Sequence, residues 1–163
     1  MARLSAGVLL YRFAVGSSGG AAGGELEVLL AHPGGPFWAR KDEGAWSVPK
    51  GEYGPDEDPW AAAAREFAEE LGLPVPRGER LDLGEVKQAG GKVVTVFAVH
   101  ADLDITEARS NTFALEWPRG SGRMREFPEV DRVAWLPVET ARAKLLKGQR
   151  PFLDRLRTHL AER

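Results

Sequence analysis

The sequence predicts a single α/β domain, and three observations support this prediction. Segments with the apolar and β-branched character of strands occur on both sides of one long helical segment. Two more helical segments follow near the end of the chain. The 163 residues are enough to bury about 70% of the unfolded surface in one core. We therefore expect one domain over residues 1–163, which needs neither a structural metal nor a disulfide.

The elements follow from hydrophobic periodicity and from the residues that begin and end each segment. Strands are predicted at residues 4–15, 26–31, 46–48, 81–87, 92–101 and 130–136. Helices are predicted from Pro59 to Leu71, at residues 138–147 with a stop at Gly148, and from Pro151 through Leu160.

The connections between these elements are of different kinds. The Gly- and Ser-rich residues 16–25 indicate a long hairpin loop, because so short a first segment cannot form a domain of its own. Residues 32–45 indicate an irregular loop, residues 50–57 a turn into the first helix, and residues 89–91 a hairpin. Residues 102–128 are mostly polar and are expected to be irregular, in a stretch whose length is typical of functional or mobile loops.

Composition excludes several classes of protein. No cysteine occurs, which excludes disulfides, thiolate metal sites and cysteine nucleophiles. The formal net charge of -2 provides no overall basic field for nucleic acid. Arg12 interrupts the apolar run near the N-terminus, and no apolar stretch of about 18 residues occurs. We expect a soluble cytoplasmic protein, a monomer or a homodimer, with neither nucleic acid nor membrane as a partner.

The first helix is the best-defined element of the sequence. Asp58 is a good N-cap, Pro59 suits the first helical position, and Gly72 suits the end. At about 100° per residue, one face of this helix is apolar and is expected to pack in the core. That face consists of Trp60, Ala63, Ala64, Phe67 and Leu71.

Another face of the same helix carries three carboxylates, Glu66, Glu69 and Glu70. Like charges at this spacing cost a few tenths of a kcal/mol, and acids near a helix C-terminus also oppose its dipole. A divalent cation such as Mg²⁺ compensates for this arrangement, because it takes oxygen ligands from carboxylates and from substrate phosphates. The alternative is a solvated acidic face with Arg65 as a nearby positive charge.

Basic and aromatic residues in the predicted loops are candidates for substrate binding. Cationic side chains suit phosphoryl oxygens, and the candidates are Arg40, Lys50, Arg123 and Arg125. Trp38 and Trp46 have two interpretations, because an aromatic ring here either stacks on a base or closes the core. Base stacking and hydrophobic burial contribute similar free energies, so both interpretations remain open at the level of sequence.

Other catalytic arrangements are not found in the sequence. The three histidines, His32, His100 and His159, have no metal-ligand spacing, which favours structural or surface roles, and no catalytic triad can be assembled from them. No GxxxxGK[ST] segment occurs, and the Gly-rich loop does not match GxGxxG between a strand and a helix. Nucleotide binding of the P-loop or Rossmann type is therefore not expected.

The spacing around the acidic helix resembles a known family signature. From Gly51 the chain reads Gly, five residues, Glu57, seven residues, then Arg-Glu-Phe, one residue, Glu-Glu, one residue, and Gly-Leu. This pattern, which covers 23 residues, is similar to the Nudix box at every specified position. The order of the flanking elements also resembles that of a Nudix domain.

The resemblance implies a fold, a reaction and a set of roles. The implied fold is a mixed β-sheet sandwiched between α-helices. The implied reaction is hydrolysis of a nucleoside diphosphate linked to another group, by attack of water at phosphorus, with Mg²⁺ as cofactor and Mn²⁺ as a substitute. The implied roles are metal ligation by Glu66, Glu69, Glu70 and the Gly51 carbonyl, orientation of a carboxylate by Arg65, and assistance from Glu57.

The resemblance leaves the proton acceptor and the substrate open. Some Nudix enzymes use a glutamate of the box, here Glu69, and others a glutamate in a later loop, here Glu126 or Glu129. The substrate classes are nucleoside triphosphates, dinucleoside polyphosphates and nucleotide sugars. A regulator that binds a nucleotide without hydrolysing it is the alternative function, although a damaged box is typical of such domains and every acid is present here.

Overall fold

The structure is a computed structural model that describes residues 3–14 and 24–162. The strands are β1 (Arg3–Phe13), β2 (Leu26–Pro33), β3 (Lys50–Tyr53), β4 (Glu79–Gln88), β5 (Lys92–His100), β6 (Thr112–Glu116), β7 (Met124–Pro128) and β8 (Val130–Pro137). The helices are α1 (Pro59–Leu71), α2 (Val138–Lys144) and α3 (Arg150–Ala161). Val15 of the predicted first strand and residues 16–23 of the predicted hairpin loop lie outside the described residues. Within the described ranges, no helix has the length and apolar character needed to cross a membrane.

The main sheet is mixed, and β1 is its central strand. The strand order is β4-β5-β1-β2-β8, and β3 also pairs with β1. The pairing of β1 with β5 is parallel, whereas the other pairs are antiparallel. Residues 5–11 of β1 are all buried, as expected for a strand that is covered on both faces.

Helices cover both faces of this sheet. On one face, Ala6, Val8 and Leu10 of β1 pack against α1. On the other face, Leu9 and Tyr11 belong to a second cluster that includes buried residues of α2 and α3. Alternation of side chains along β1 therefore divides the core into two layers. The predicted mixed sheet between helices is confirmed.

The segment before the first helix differs from the prediction. Residues 46–48 do not form a strand, because Trp46 and Ser47 make only isolated bridges to Leu145 and Ala31. The strand is instead β3, which falls where a turn was predicted, and it pairs with residues 4–7 of β1. This half of β1 lies beyond the reach of β2, so its backbone groups need the partner that β3 supplies.

Two further predictions are wrong in part. Residues 102–128 are not irregular throughout, because β6 and β7 pair as a separate two-stranded sheet with Phe113 opposite Phe127. The helix predicted at residues 138–147 ends at Lys144 rather than at Lys147. It ends early because Leu145 is extended and Leu146 donates its N–H to the Trp46 carbonyl, which replaces the next helical hydrogen bond. The final helix begins close to Pro151, as predicted.

Candidate active site

The first helix, α1, begins and ends where the sequence predicts. The Asp58 side chain accepts a hydrogen bond from the Ala61 N–H at 3.0 Å and caps the N-terminus. Gly72 ends the helix in the left-handed conformation, with φ of 69°. The buried face differs slightly from the predicted one, because Ala62 is fully buried whereas Trp60 and Ala64 are only half-buried.

Arg65 is the centre of a network of ion pairs on the acidic face. Its guanidinium makes a two-bond fork to Glu57, from Nε at 3.0 Å and from Nη2 at 2.9 Å. Its Nη1 donates to Glu66 at 2.8 Å and to Glu69 at 3.4 Å. These contacts, with the Glu57 bond first in importance, raise the pKa of Arg65. Arg65 therefore holds three of the acids that the sequence pattern singles out.

Gly51 lies directly against the carboxylate of Glu66. A Cβ atom at Gly51 would stand 1.9 Å from Glu66 Oε2, which is far inside any allowed contact. Gly51 belongs to β3, so this close approach brings the strand backbone to the acidic face of α1. Only 12% of the Glu66 side chain is exposed as a result of this packing and of the Arg65 bond.

Glu70 points into the protein, and its environment disfavours negative charge. Its Oε1 accepts a hydrogen bond from the Lys50 N–H at 3.2 Å. Burial, with a smaller contribution from nearby Glu129 and Glu66, raises the pKa of the Glu70 carboxyl to about 8. Burial also lowers the pKa of the Lys50 ammonium, although the Glu70 charge opposes that change.

Glu129 joins the carboxylates of the helix from a different part of the chain. It lies between β7 and β8, and burial together with the charge of Glu69 raises its pKa. Burial likewise raises the pKa of Glu66, where Glu69 and Glu129 add to the effect and Arg65 opposes it. Four carboxyl groups are thus close enough to repel one another, which is the electrostatic condition that a bound cation would relieve.

A cleft opens beside these carboxylates. It has a volume of about 180 Å³, and its walls include Trp38, Lys50, Glu70 and Glu129. A larger groove of about 680 Å³ lies next to Trp60 on another side of α1, where no acidic residue lines it. Of these two, the smaller cleft combines carboxylates, a cation and an aromatic ring.

The donor set fits a hard divalent cation. Glu66, Glu69 and Glu70 supply carboxylate oxygens, and Gly51 brings the β3 backbone within contact of Glu66. In this structure the carboxylates of Glu66 and Glu69 turn toward Arg65, and no three acidic or histidine side chains within residues 3–14 and 24–162 converge on one point. The mutual repulsion of these carboxyls and the close Gly51 contact are the features that fit a cation.

The remaining candidates fall into two groups. Trp46 is only 4% exposed, and its Nε1 donates to Asp42 at 2.7 Å. This burial favours the core interpretation of Trp46 over base stacking, whereas Trp38 lines the cleft. The other candidates are exposed at the surface, and they are Arg40 in the loop before β3, Glu126 and Arg125 in β7, and Arg123 in the turn before β7.

The side chain of Gln149 holds the segment of Ser47 and Val48 beside the cleft, and the sequence does not predict this contact. Gln149 is fully buried, and its Oε1 accepts from the Val48 N–H at 2.9 Å while its Nε2 donates to Ser47 Oγ at 3.0 Å. A glutamine at a predicted helix start carries no signal of a partner about a hundred residues away. Contacts of this kind are set by the tertiary fold rather than by local pattern.

Carboxylates and a lysine that line one cleft suit a pyrophosphohydrolase, an enzyme that acts on phosphoric anhydrides. Comparison with protein families agrees with that class, since the family model described as NUDIX domain matches residues 3–156. The chain belongs to the NUDIX family. A search of curated protein sequences finds no significant match.

Solved structures similar to this chain include the following three. The Ap4A hydrolase of C. elegans, as a binary complex, is 22% identical with a TM-score of 0.59, over 99% of each chain. The NUDIX domain of Shewanella oneidensis NrtR in complex with ADP ribose is 17% identical with a TM-score of 0.64, over 98% of this chain and 89% of that one. A mutT/nudix family protein from Listeria innocua is 17% identical with a TM-score of 0.61, over 98% of this chain and 94% of that one. At these identities the similarity establishes the fold.

Proposed function

We propose that this protein hydrolyses a nucleoside diphosphate linked to another group, with Mg²⁺ as cofactor and Mn²⁺ as a substitute. The observation that carries this proposal is the gathering of Glu66, Glu69, Glu70 and Glu129 beside a cleft that also contains Lys50. The cysteine-free composition accords with a cytoplasmic protein, and the net charge of -2 accords with a small nucleotide rather than nucleic acid as partner. We propose that the protein acts as a monomer or a homodimer.

In this proposal, Glu66, Glu69, Glu70 and the Gly51 carbonyl hold the metal. When bound, a divalent cation neutralises phosphate charge and lowers the pKa of a coordinated water. Arg65 positions the ligands, because its bonds to Glu57, Glu66 and Glu69 restrict where each carboxylate lies. Glu57 in turn fixes Arg65 through the two-bond fork.

Glu129 is the residue that we assign as proton acceptor. It lines the cleft, and its raised pKa brings the carboxyl closer to neutral pH, where general-base catalysis is most efficient. Water attacks phosphorus, its proton passes to the Glu129 carboxylate, and the phosphoric anhydride P–O bond breaks. Glu69 is the alternative acceptor within the helix, and Glu126 is the alternative in β7.

Charged and aromatic residues both bind the substrate in this proposal. Lys50 provides a cation inside the cleft, and Trp38 provides a ring for the base. Arg40, Arg123 and Arg125 are exposed cations that we assign to phosphate groups further from the reacting bond. Nucleoside triphosphates, dinucleoside polyphosphates and nucleotide sugars all carry the chemistry that this arrangement recognises.

A product-resolved assay tests this function. The purified protein is incubated with nucleoside triphosphates, dinucleoside polyphosphates, ADP-ribose and NADH, with Mg²⁺ or Mn²⁺, and products are separated by chromatography. We expect hydrolysis of at least one compound and its loss in Glu69→Gln. Glu52→Gln is the matched control, since Glu52 is an exposed acid of β3 that pairs with Arg3. Failure to hydrolyse any compound would reject the proposal.

Two further variants decide which glutamate accepts the proton. Glu129→Gln should lower kcat by about 100- to 1,000-fold, which is within the usual contribution of a general base. Glu126→Gln removes the same charge from the exposed residue opposite Ala114 and should change kcat by less than a few fold. The reverse result assigns Glu126. Calorimetry that shows tight nucleotide binding with the ligand unchanged would instead support a non-catalytic regulator.

A further inference from the structure

His32 is a fully buried polar residue at the end of β2. Its Nδ1 is 2.7 Å from Asp131 Oδ1, and its Nε2 is 2.6 Å from the Lys41 carbonyl oxygen. Each ring nitrogen therefore has a hydrogen-bond partner, the Asp131 carboxylate on one side and the Lys41 carbonyl on the other. The ring therefore connects two segments that are distant from each other along the sequence.

The Asp131 end of this connection is a β-bulge. In the pairing of β2 with β8, His32 lies opposite Arg132 and the next pair is Pro33 with Val130, which leaves Asp131 as an extra residue. Bulges redirect side chains and occur often beside active sites. Here the bulged residue is Asp131, which comes two residues after Glu129, and its side chain contacts His32.

The chain at Glu129 is held at the same strand end. The Glu129 carbonyl accepts a hydrogen bond from the Gly34 N–H at 2.9 Å, and the Glu129 N–H donates to the Asn111 carbonyl at 2.8 Å. Gly34 follows β2 directly, only two residues after His32. The bulge and these two bonds therefore hold the backbone on both sides of Glu129, a residue that lines the cleft.

The Lys41 end of the connection holds the loop that carries Trp38. The Lys41 N–H donates to the Trp38 carbonyl at 3.0 Å, so Trp38 and Lys41 share one turn. Trp38 lines the cleft together with Glu129. The ring of His32 thus bonds to two segments that both contribute to the cleft. One segment carries Glu129, the proposed proton acceptor, and the other carries Trp38, the proposed platform for the base.

Burial of a histidine is costly unless both ring nitrogens have partners, and an apolar side chain would fill the same space without that cost. The His32 ring also packs edge-on against Trp46, with ring centroids 5.3 Å apart. An apolar ring at this position would keep that packing and lose only the two hydrogen bonds. The two hydrogen bonds of the histidine therefore link the bulge at Asp131 to the loop at Lys41.

We propose that His32 is a positioning residue, which with Asp131 fixes the two segments that bring Glu129 and Trp38 to the lining of the cleft. The predicted effect of His32 on catalysis rests on the proposed function. Its predicted effect on the backbone at Gly34, Lys41 and Glu129 is independent of that function and can be measured without any substrate.

Three variants separate the two ends of the connection. His32→Phe keeps the ring volume and removes both bonds, Asp131→Ala removes the bulge contact alone, and His32→Gln keeps a donor for the Lys41 carbonyl. We expect kcat to fall by about 10- to 100-fold in all three, because small misplacement of a catalytic group has effects of this size. KM should rise in His32→Phe and return toward the wild-type value in His32→Gln.

Hydrogen exchange provides the measurement that is independent of activity. Amides of Gly34 and Glu129 should exchange at least about tenfold faster in His32→Phe and Asp131→Ala, while buried amides of α1 keep their rates. His100→Phe is the matched control, since His100 is an exposed histidine that stacks on Tyr11 and does not line the cleft. It should leave kcat, KM and these exchange rates unchanged.

The outcomes distinguish this inference from the proposed function. Unchanged kinetics and unchanged exchange at Gly34 and Glu129 would overturn the role of His32, even in an active enzyme. Faster exchange throughout the protein would also overturn it, because that result describes general destabilisation. A wild-type protein that hydrolyses no compound rejects the proposed function, and the local exchange rates then still decide whether His32 holds the two segments.

Discussion

Gly51 lies in β3 with its Cα against the carboxylate of Glu66, and the absence of a side chain is what permits this contact. The Nudix-like spacing predicts a glycine at this position and a turn around it. The structure instead has an extended strand there, so the requirement is close approach of the strand to α1 rather than an unusual backbone conformation. The same approach brings the Gly51 backbone to the proposed metal ligands.

Gly51→Ala should impair the site while leaving the fold intact. The new Cβ would stand 1.9 Å from Glu66 Oε2, and the Glu66 side chain is flexible enough to swing away. We expect kcat/KM to fall by about 10- to 100-fold and a higher Mg²⁺ concentration for half-maximal activity. Steady-state kinetics across a Mg²⁺ titration measure both effects.

Gly54→Ala is the control for this prediction, because a Cβ at Gly54 has no neighbour within 4 Å. It should match the wild type in activity and in Mg²⁺ dependence. Equal losses in the two variants would show that loop stiffness, rather than the contact with Glu66, accounts for the effect.

At the scale of elements, the C-terminus of α1 connects the acidic helix to the segment that leads into β6. The Leu71 carbonyl accepts from the Arg109 N–H at 2.7 Å, and the Glu69 carbonyl accepts from the Asn111 N–H at 2.9 Å. These bonds satisfy carbonyls that a helix end leaves without partners. The Asn111 carbonyl in turn accepts from Glu129, so one short segment links the helix to the proposed proton acceptor.

Gly72→Ala should lower the free energy of unfolding by more than the cost of placing alanine at a positive φ. Gly72 has φ of 69°, and its new Cβ would stand 2.4 Å from the Arg109 carbonyl oxygen, which is backbone and cannot move freely. Gly44 has a similar φ of 71° with open space around it. We expect a loss of about 1–2 kcal/mol for Gly44→Ala and about 2–4 kcal/mol for Gly72→Ala in urea unfolding. Equal losses would contradict the role of the Arg109 contact.

Elements with a strong local signal are predicted correctly, and those that depend on distant partners are not. The N-cap, the end and the acidic face of α1 follow from the residues between Asp58 and Gly72. By contrast, β3 contains a glycine and is followed by another, and it is a strand only because residues 4–7 of β1 need a partner. The sheet of β6 and β7 is missed because its strands have five residues each and are joined through Pro118, Gly120 and Gly122, which indicate a loop.

At the scale of the whole molecule, the sandwich collects acids from separate parts of the chain at one end of α1. Glu66, Glu69 and Glu70 come from the helix, Glu57 from the loop before it, and Glu129 from the entry to β8. The sequence predicts the helical group because its spacing is local. The sequence alone does not separate Glu126 from Glu129, whereas in the fold Glu129 lines the cleft and Glu126 lies in β7.

This concentration of carboxylates should make the metal-free protein less stable as pH rises. The pKa of Glu70 is raised to about 8, so between about pH 5 and pH 8 the folded state binds a proton that the unfolded state has released. The free energy of unfolding therefore decreases as pH rises through this window. Glu70→Gln removes the ionisation, so in EDTA its Tm should exceed that of the wild type by an increasing margin from pH 5 to pH 8.

Mg²⁺ should reverse the order of the two proteins at pH 8. A cation that binds the folded state alone raises the free energy of unfolding, and the ionised Glu70 is one of its proposed ligands. For a chain of this size, each kcal/mol corresponds to about 2–4 °C in Tm, so thermal unfolding by circular dichroism resolves the change. A difference in Tm between wild type and Glu70→Gln that stays constant with pH and with Mg²⁺ would contradict both the buried charge and its role in metal binding.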